Sequence, residues 1–281
     1  MSIAYLNGRY SRIEETRVSV SDRGFLFGDG VYEVFPVYGG KGFLQDRHLE
    51  RLGRGLVTAR IENPHTRAEW DDLLDELIRR NGSSANQAIY LQVTRGVAPR
   101  THAFPEGGVV PTVLVTSQPL VISDEVKSAK AITRPDIRWG RCDIKSIALM
   151  GNVLLRQEAV DAGCMEAILI RDGQVTEGAA SNVFVVCRGH IMTPLDSPSL
   201  FSGATRNLVI ELGAAAGIPI EQADIPEATL RDADEIWITG SLMGVVPVVA
   251  LDGAPVGGGQ PGPFWKRIWS FFRDYRGKFL L

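Results

Sequence analysis

The chain has 281 residues, 44% of them hydrophobic and 22% charged, with a formal net charge of −3 at pH 7. Such proportions suit a globular protein with enough chain for a substantial core and a cleft between two lobes. They exclude an overall positive field that would gather nucleic acid or an anionic membrane, so any anionic ligand must be held by a local cluster of donors.

The opening residues, Met1 to Asn7, lack a basic stretch followed by an apolar one, so no signal peptide is expected. Tyr32 to Tyr38 is rich in β-branched and aromatic residues and runs into Gly39-Gly40, a two-glycine hairpin signal, returning through Gly42-Phe43-Leu44. A helix follows from about Asp46 to Arg60, with Leu49, Leu52 and Leu56 on one face. Thr66-Arg-Ala-Glu69 forms a capping box for a second helix, whose buried stripe is Trp70, Leu73, Leu74, Leu77 and Ile78 and which Asn81-Gly82 ends. Strands are expected at Ala88–Thr94 and Val109–Thr116, flanking a loop that contains Arg100 and His102.

Beyond a linker come strands near Ala131 and at Glu166–Arg171, Asn182–Cys187 and Glu235–Thr239, with helices near Asn152–Ala162, Thr205–Ala216 and Pro263–Arg276. Strands and helices do not alternate as a doubly wound parallel sheet requires, so the expected fold is α+β in two lobes. The boundaries drawn from composition are 1–117 for a small N-terminal α/β lobe, 118–127 for the linker and 128–281 for a larger mixed C-terminal lobe.

Several familiar chemistries lack support. Gly257-Gly-Gly-Gln-Pro-Gly262 matches a dinucleotide fingerprint, but too little chain follows it for the βα unit and acidic residue that such a site needs. His48, His65, His102 and His190 have no metal-ligand spacing, and no metal is expected. Cys142, Cys164 and Cys187 are odd in number and unpaired in spacing, which points to free thiols in a reducing cytoplasm. No apolar run approaches the roughly 18 residues of a membrane span.

Three places could bear chemistry. Lys145 is followed at once by the apolar run Ile147-Ala-Leu-Met150; such a lysine either snorkels to solvent or is desolvated into a nucleophile. Ser202-Gly-Ala-Thr-Arg206 opens a helix at which Gly203 permits close approach and Thr205 suits an N-cap, so the turn serves either ordinary capping or an anion. Thr239-Gly-Ser241 follows a strand, and is either a plain turn or a further hydroxyl source for the same anion.

Taken together, Asp22-Arg-Gly-Phe-Leu-Phe-Gly-Asp-Gly-Val-Tyr-Glu33, Arg141-Cys-Asp-Ile-Lys-Ser146 and Val175-Thr-Glu-Gly-Ala-Ala-Ser-Asn182 resemble the fold-type IV pyridoxal-phosphate enzymes. The similarity runs from about Tyr5 to Gly253, and several motifs in order are more specific than any one. Within that group the loop Arg95-Gly-Val-Ala-Pro-Arg-Thr-His102 resembles the D-amino-acid aminotransferases. The resemblance implies pyridoxal 5'-phosphate as cofactor, D-amino acids and 2-oxo acids as small-molecule partners, and a homodimer that binds neither nucleic acid nor membrane. It implies that Lys145 is the Schiff-base lysine and general acid/base, and that Glu177 pairs with the pyridine nitrogen. It further implies that Arg51, the amides of Ala204 and Thr205, and the Thr205 and Ser241 hydroxyls hold the phosphate, while Tyr32, Arg100 and His102 in the first lobe bind the substrate carboxylate. The sequence departs from the family at Ala179-Ala180, where some members carry serines, at Phe201, often aliphatic, and at Ser241-Leu242, which replaces a hydroxyl-rich turn. Alternative activities on the same scaffold are a branched-chain L-aminotransferase, an R-selective amine transaminase, an aminodeoxychorismate lyase and a non-catalytic cofactor-binding protein. Arg100-Thr-His102 argues against the branched-chain enzyme and the lyase.

Overall fold

The computed structural model describes residues 2–122 and 127–280, and it divides into two compact units. The first takes the chain up to Ile122, together with Ile144–Leu149 and the residues from Phe279; the second takes the stretch ending at Asp143 and Met150–Lys278. Of the expected linker, residues 123–126 lie outside the described residues, while Gln118 and Pro119 belong to a strand.

In the first unit the strands are β1 (Ile3–Leu6), β2 (Arg9–Arg12), β3 (Gly30–Tyr38), β4 (Lys41–Gly42), β5 (Gln87–Thr94) and β6 (Thr112–Pro119). They form a sheet in the order β2-β1-β6-β5-β3-β4, and every pairing given is antiparallel. The helices are α1 (Arg23–Phe27), α2 (Gln45–Ala59) and α3 (Arg67–Arg80). Gly39 and Gly40 both carry positive φ, as the hairpin turn between β3 and β4 requires. The capping box of α3 is present, with the Thr66 side chain on the Glu69 amide and the Glu69 side chain on the Thr66 amide. The apolar stripes of α2 and α3 close over one face of the sheet, burying Leu52, Leu56, Trp70 and Leu74 against Phe35, Ile89 and Leu91. The strand after the long loop begins at Thr112 rather than at Val109, because Val109–Pro111 stay in the loop.

Strand β4 is so short that it covers only the end of β3. The start of the same edge of β3 is taken by the excursion 144–149: the Tyr32 amide donates to Lys145 O at 3.0 Å, the Ile147 amide donates to Gly30 O at 3.1 Å, and Val31 bridges Ser146. This pairing, with Ile144 packed on the first core, explains why the lysine segment goes with a unit remote from it in sequence.

The second unit has β7 (Ala129–Pro135), β8 (Glu166–Arg171), β9 (Gln174–Gly178), β10 (Asn182–Cys187), β11 (His190–Thr193), β12 (Ile220–Gln222), β13 (Glu235–Gly240), β14 (Gly244–Leu251) and β15 (Ala254–Pro255). Its sheet runs β12-β11-β10-β13-β14-β7-β8-β9, with β15 on β14; β7 pairs parallel to both β14 and β8. Helices α4 (Met150–Asp161), α5 (Ala204–Ala215), α6 (Glu227–Arg231) and α7 (Pro263–Gly277) complete it. The core alternates along the strands, with Val183, Val185, Ile236 and Ile238 buried together.

Candidate active site

In the first unit, Lys145 is half-buried and its Nζ lies 4.3 Å from the centroid of the Tyr32 ring. The edge pairing that fixes the Lys145 carbonyl on the Tyr32 amide brings these two expected site residues together. Tyr32 and Glu33 are neighbours on β3 and so project to opposite faces. Glu33 points toward α2 and is fully buried, spanned by Arg51 through Nε to Oε1 and Nη2 to Oε2, both at 2.7 Å. His48, one turn before Arg51 on α2, places Nδ1 2.7 Å from Glu33 Oε2. Burial resists the Glu33 charge, but the Arg51 guanidinium and the hydrogen bonds outweigh it and hold the carboxyl at about 2. Burial lowers His48, and the positive charges of Arg51 and Lys145 add to this against the pull of Glu33; a neutral ring can then donate from Nδ1 to Glu33. Arg51, expected to hold an anion, therefore stands already spanned by a buried carboxylate. Glu33 belonged to a quoted motif, but no sequence spacing marked it or His48 as the partner of that arginine.

Arg100 and His102 are exposed on the loop between β5 and β6. They stand together on Phe27, the last residue of α1, with the Arg100 Cζ 5.2 Å and the His102 ring 5.5 Å from the phenyl centroid.

In the second unit, Glu177 is buried near the end of β9. Its Oε1 is bonded by Arg138 Nη1, and its Oε2 accepts from Asn182 Nδ2 at 3.1 Å and from the Phe201 amide at 3.2 Å. Arg138 is in turn gripped by Asp136, with Nε and Nη2 at 2.9 and 2.8 Å. Burial opposes the guanidinium charge, yet Asp136 and Glu177 hold Arg138 above its ordinary range. Burial also opposes the Asp136 charge, and Arg138 wins, lowering that carboxyl.

Asn182 ties this carboxylate to the start of α5. Its Nδ2 also donates to Phe201 O at 2.7 Å, and a Cβ at Gly203 would collide with its Oδ1. Gly203, not Thr205, is the N-cap of α5, and it offers no side-chain cap to the helix. Thr205 lies inside the first turn, and the Ala204 and Thr205 amides belong to the terminal group that has no carbonyl partner within the helix. Glycine suits this cap sterically, since any larger residue would have to push the Asn182 side chain aside. Thr239, which pairs in register with Asn182 at the end of β13, has a buried Oγ1 with no partner among the described residues. Ser241 is in the turn after that strand, and α5 packs on β13. The family resemblance names Glu177, and the sequence marks Gly203 and the 239–241 turn, but neither marks Arg138 or the linking role of Asn182. The spacing Asp136-Ile-Arg138 is the one local hint of that ion pair.

A family model described as "Amino-transferase class IV" matches residues 30–251. The chain is 40% identical over 274 residues to the D-alanine aminotransferase of Bacillus licheniformis, covering 95% of each chain. It is 36% identical over 271 residues to that of Listeria monocytogenes, covering 95% of this chain and 93% of the relative. Among solved structures, the Escherichia coli branched-chain amino acid aminotransferase matches with a TM-score of 0.89 at 25% identity, covering 97% of this chain and 94% of that one. The T.th. branched-chain amino acid aminotransferase with pyridoxamine 5'-phosphate matches with a TM-score of 0.87 at 26% identity, covering 97% and 93%.

Proposed function

This chain belongs to the class IV aminotransferases, and from that we propose that it is a D-amino-acid aminotransferase in which Lys145 carries the cofactor and Arg100 and His102 take the substrate carboxylate. The reading is carried by one observation, the placement of the Arg100 and His102 side chains together against a single ring in a chain 40% identical to a D-alanine aminotransferase.

The residues fit pyridoxal 5'-phosphate. The Thr239 hydroxyl, buried and without a partner among the described residues, and the α5 terminus without a side-chain cap leave donors suited to a phosphate, and Glu177 is a buried carboxylate suited to a ring nitrogen. When bound, the cofactor supplies an electron sink for negative charge developing at the substrate α-carbon. The Ala204 and Thr205 amides with the Thr205 and Ser241 hydroxyls would hold the phosphate, and Arg51, steadied by Glu33, would contribute a cation. Glu177, fixed by Arg138 and Asn182, would keep the proton on the pyridine nitrogen. Lys145 Nζ, on a segment pinned to β3, takes the α-proton from one fixed face and returns it during amino transfer to a 2-oxo acid. Arg100 offers paired planar donors to the carboxylate, His102 and Tyr32 add one each, and placing the carboxylate relative to the Lys145 proton path selects the D configuration.

The enzyme acts as a homodimer in this reading. Support comes from side chains that a single chain leaves exposed: Val20, Phe25 and Val97 in the first unit, and Met150, Val153 and Leu154 on α4. The cysteines, free in the structure, suit a reducing cytoplasm, and among the described residues no helix is long and apolar enough to cross a membrane.

The test is a panel of D- and L-alanine, glutamate and leucine against two 2-oxo acids, with borohydride reduction and peptide mapping alongside. Turnover of the D series and a label on Lys145, both lost in Lys145→Ala, are expected. Preference for L-amino acids, or a label on another lysine, overturns the assignment.

A further inference from the structure

The carboxylate-binding loop is irregular and exposed, yet its two functional side chains converge, and the reason lies outside the loop. We propose that Phe27, backed by Arg23, is the positioning residue that mounts Arg100 and His102 for the substrate carboxylate, an inference that rests on the role given to that pair above.

Four observations in the first unit carry it. The Phe27 ring has Arg100 Cζ at 5.2 Å and Arg23 Cζ at 4.9 Å from its centroid, with the His102 ring at 5.5 Å and inclined by 43°. Two cations and an imidazole around one phenyl ring use its negative faces and leave little rotational freedom to side chains that would otherwise sweep through solvent. The loop backbone is held by the same helix: Arg23 Nη1 donates to Thr101 O at 2.6 Å and to Ala103 O at 3.4 Å, the carbonyls of the residues that alternate with Arg100 and His102. Arg23 cannot swing away, because its Nε is on Asp29 Oδ2 at 2.7 Å and the residue is buried. Asp29 also takes Arg95 Nε at 2.8 Å, and Arg95 Cζ lies 3.8 Å from the Phe104 centroid, so the loop is anchored on both sides of the pair.

Helix α1 is itself fixed relative to Lys145. It ends at Gly28, whose φ of 68° is left-handed, and a Cβ there would meet the Ala148 Cβ at 3.0 Å and its Cα at 3.1 Å. The short helix thus carries the ring on which Arg100 and His102 stand and, at Gly28, lies close against the lysine segment. A planar donor that must meet a carboxylate in one orientation loses most of its advantage if it wanders by an ångström.

The experiment uses holoenzyme and compares Phe27→Leu, Phe27→Tyr and Arg100→Ala. Phe27→Leu should raise KM for D-alanine and D-glutamate about tenfold, as loss of a cation–π contact and a ring contact implies. The kcat should change far less, and KM for an amine lacking a carboxylate should not move. Phe27→Tyr keeps the ring and should restore wild-type KM. Two readouts independent of turnover accompany these: calorimetric titration with propionate, expected to weaken in step with KM, and amide hydrogen exchange over residues 96–104, expected to quicken. If Phe27→Leu does not accumulate folded, Phe27→Met, which fills the space without a π face, is read the same way. Should Arg100→Ala raise KM while the Phe27 variants leave it and propionate binding unchanged, the mounting role is wrong and the carboxylate assignment stands. Should Arg100→Ala leave KM unchanged, the carboxylate assignment falls and the mount with it. An equal rise for the carboxylate-free amine in Phe27→Leu also overturns the mount.

Discussion

Arg51 shows how a single residue changes meaning once its surroundings are seen. The family resemblance implies that its charge serves a phosphate, and the structure sets a fully buried Glu33 across its guanidinium. Removing one partner of a buried pair leaves the other charge uncompensated, at a cost of about 3–5 kcal/mol. Glu33→Gln should therefore destabilise the cofactor-free protein by that order, and cofactor should stabilise the variant more than the wild type, because a phosphate restores the missing negative charge. Denaturant midpoints with and without cofactor check this; equal cofactor effects in both proteins would refute it. The two groups beside Arg51 also set the acid response. Glu33 is held at about 2, below its ordinary value of 4.5, so its stabilisation is complete above the ordinary value and is lost as pH falls through the lower one. His48 is likewise lowered from 6.5, so the unfolded chain takes up its proton first and stability declines as pH falls through that value. His48→Gln should flatten the fall of the melting temperature between about pH 7 and pH 5; an unchanged slope would mean His48 ionises equally in both states.

At the scale of elements, the start of α5 and the end of β9 act as one piece because Asn182 touches both. A glycine N-cap replaced by alanine has an intrinsic cost of roughly 1 kcal/mol or less. At position 203 the added Cβ would also displace the Asn182 amide that bonds Glu177 and Phe201. Gly203→Ala should consequently weaken cofactor retention by about tenfold or more, the equivalent of one lost hydrogen bond to a charged group, while circular dichroism still reports an intact helix. Retention equal to wild type on dialysis would show that Asn182 is not the tie between the two.

For the molecule as a whole, the exposed apolar side chains are what the proposed dimer would cover. Met150, Val153 and Leu154 cluster on α4, whose inner side is already packed through Leu155 and Ala159. Light scattering should give twice the chain mass, and Leu154→Glu should shift the protein toward a single chain by placing a charge in the contact. A single-chain mass at every concentration would dispose of the dimer.

What the sequence determined by itself was largely local in origin. The helical stripes of α2 and α3, the Thr66–Glu69 box and the paired glycines after β3 depend on residues close in the chain, and each forms as its spacing indicates. The motifs around Lys145 and Glu177 carry a family resemblance because several side chains stand in order, and the family match over residues 30–251 bears that resemblance out. Only the tertiary structure could show that 144–149 takes the edge left by β4, that Glu33 faces Arg51, or that Phe27 collects Arg100 and His102. The short strands β1, β2, β11 and β12 were also illegible, since segments of three or four residues carry too little periodicity to signal themselves. Glu33 and Arg51 are 18 positions apart, and the partners on the β3 edge are much further apart still. At such separations sequence spacing carries no information, and the buried charge or open strand edge that demands a partner does not name it.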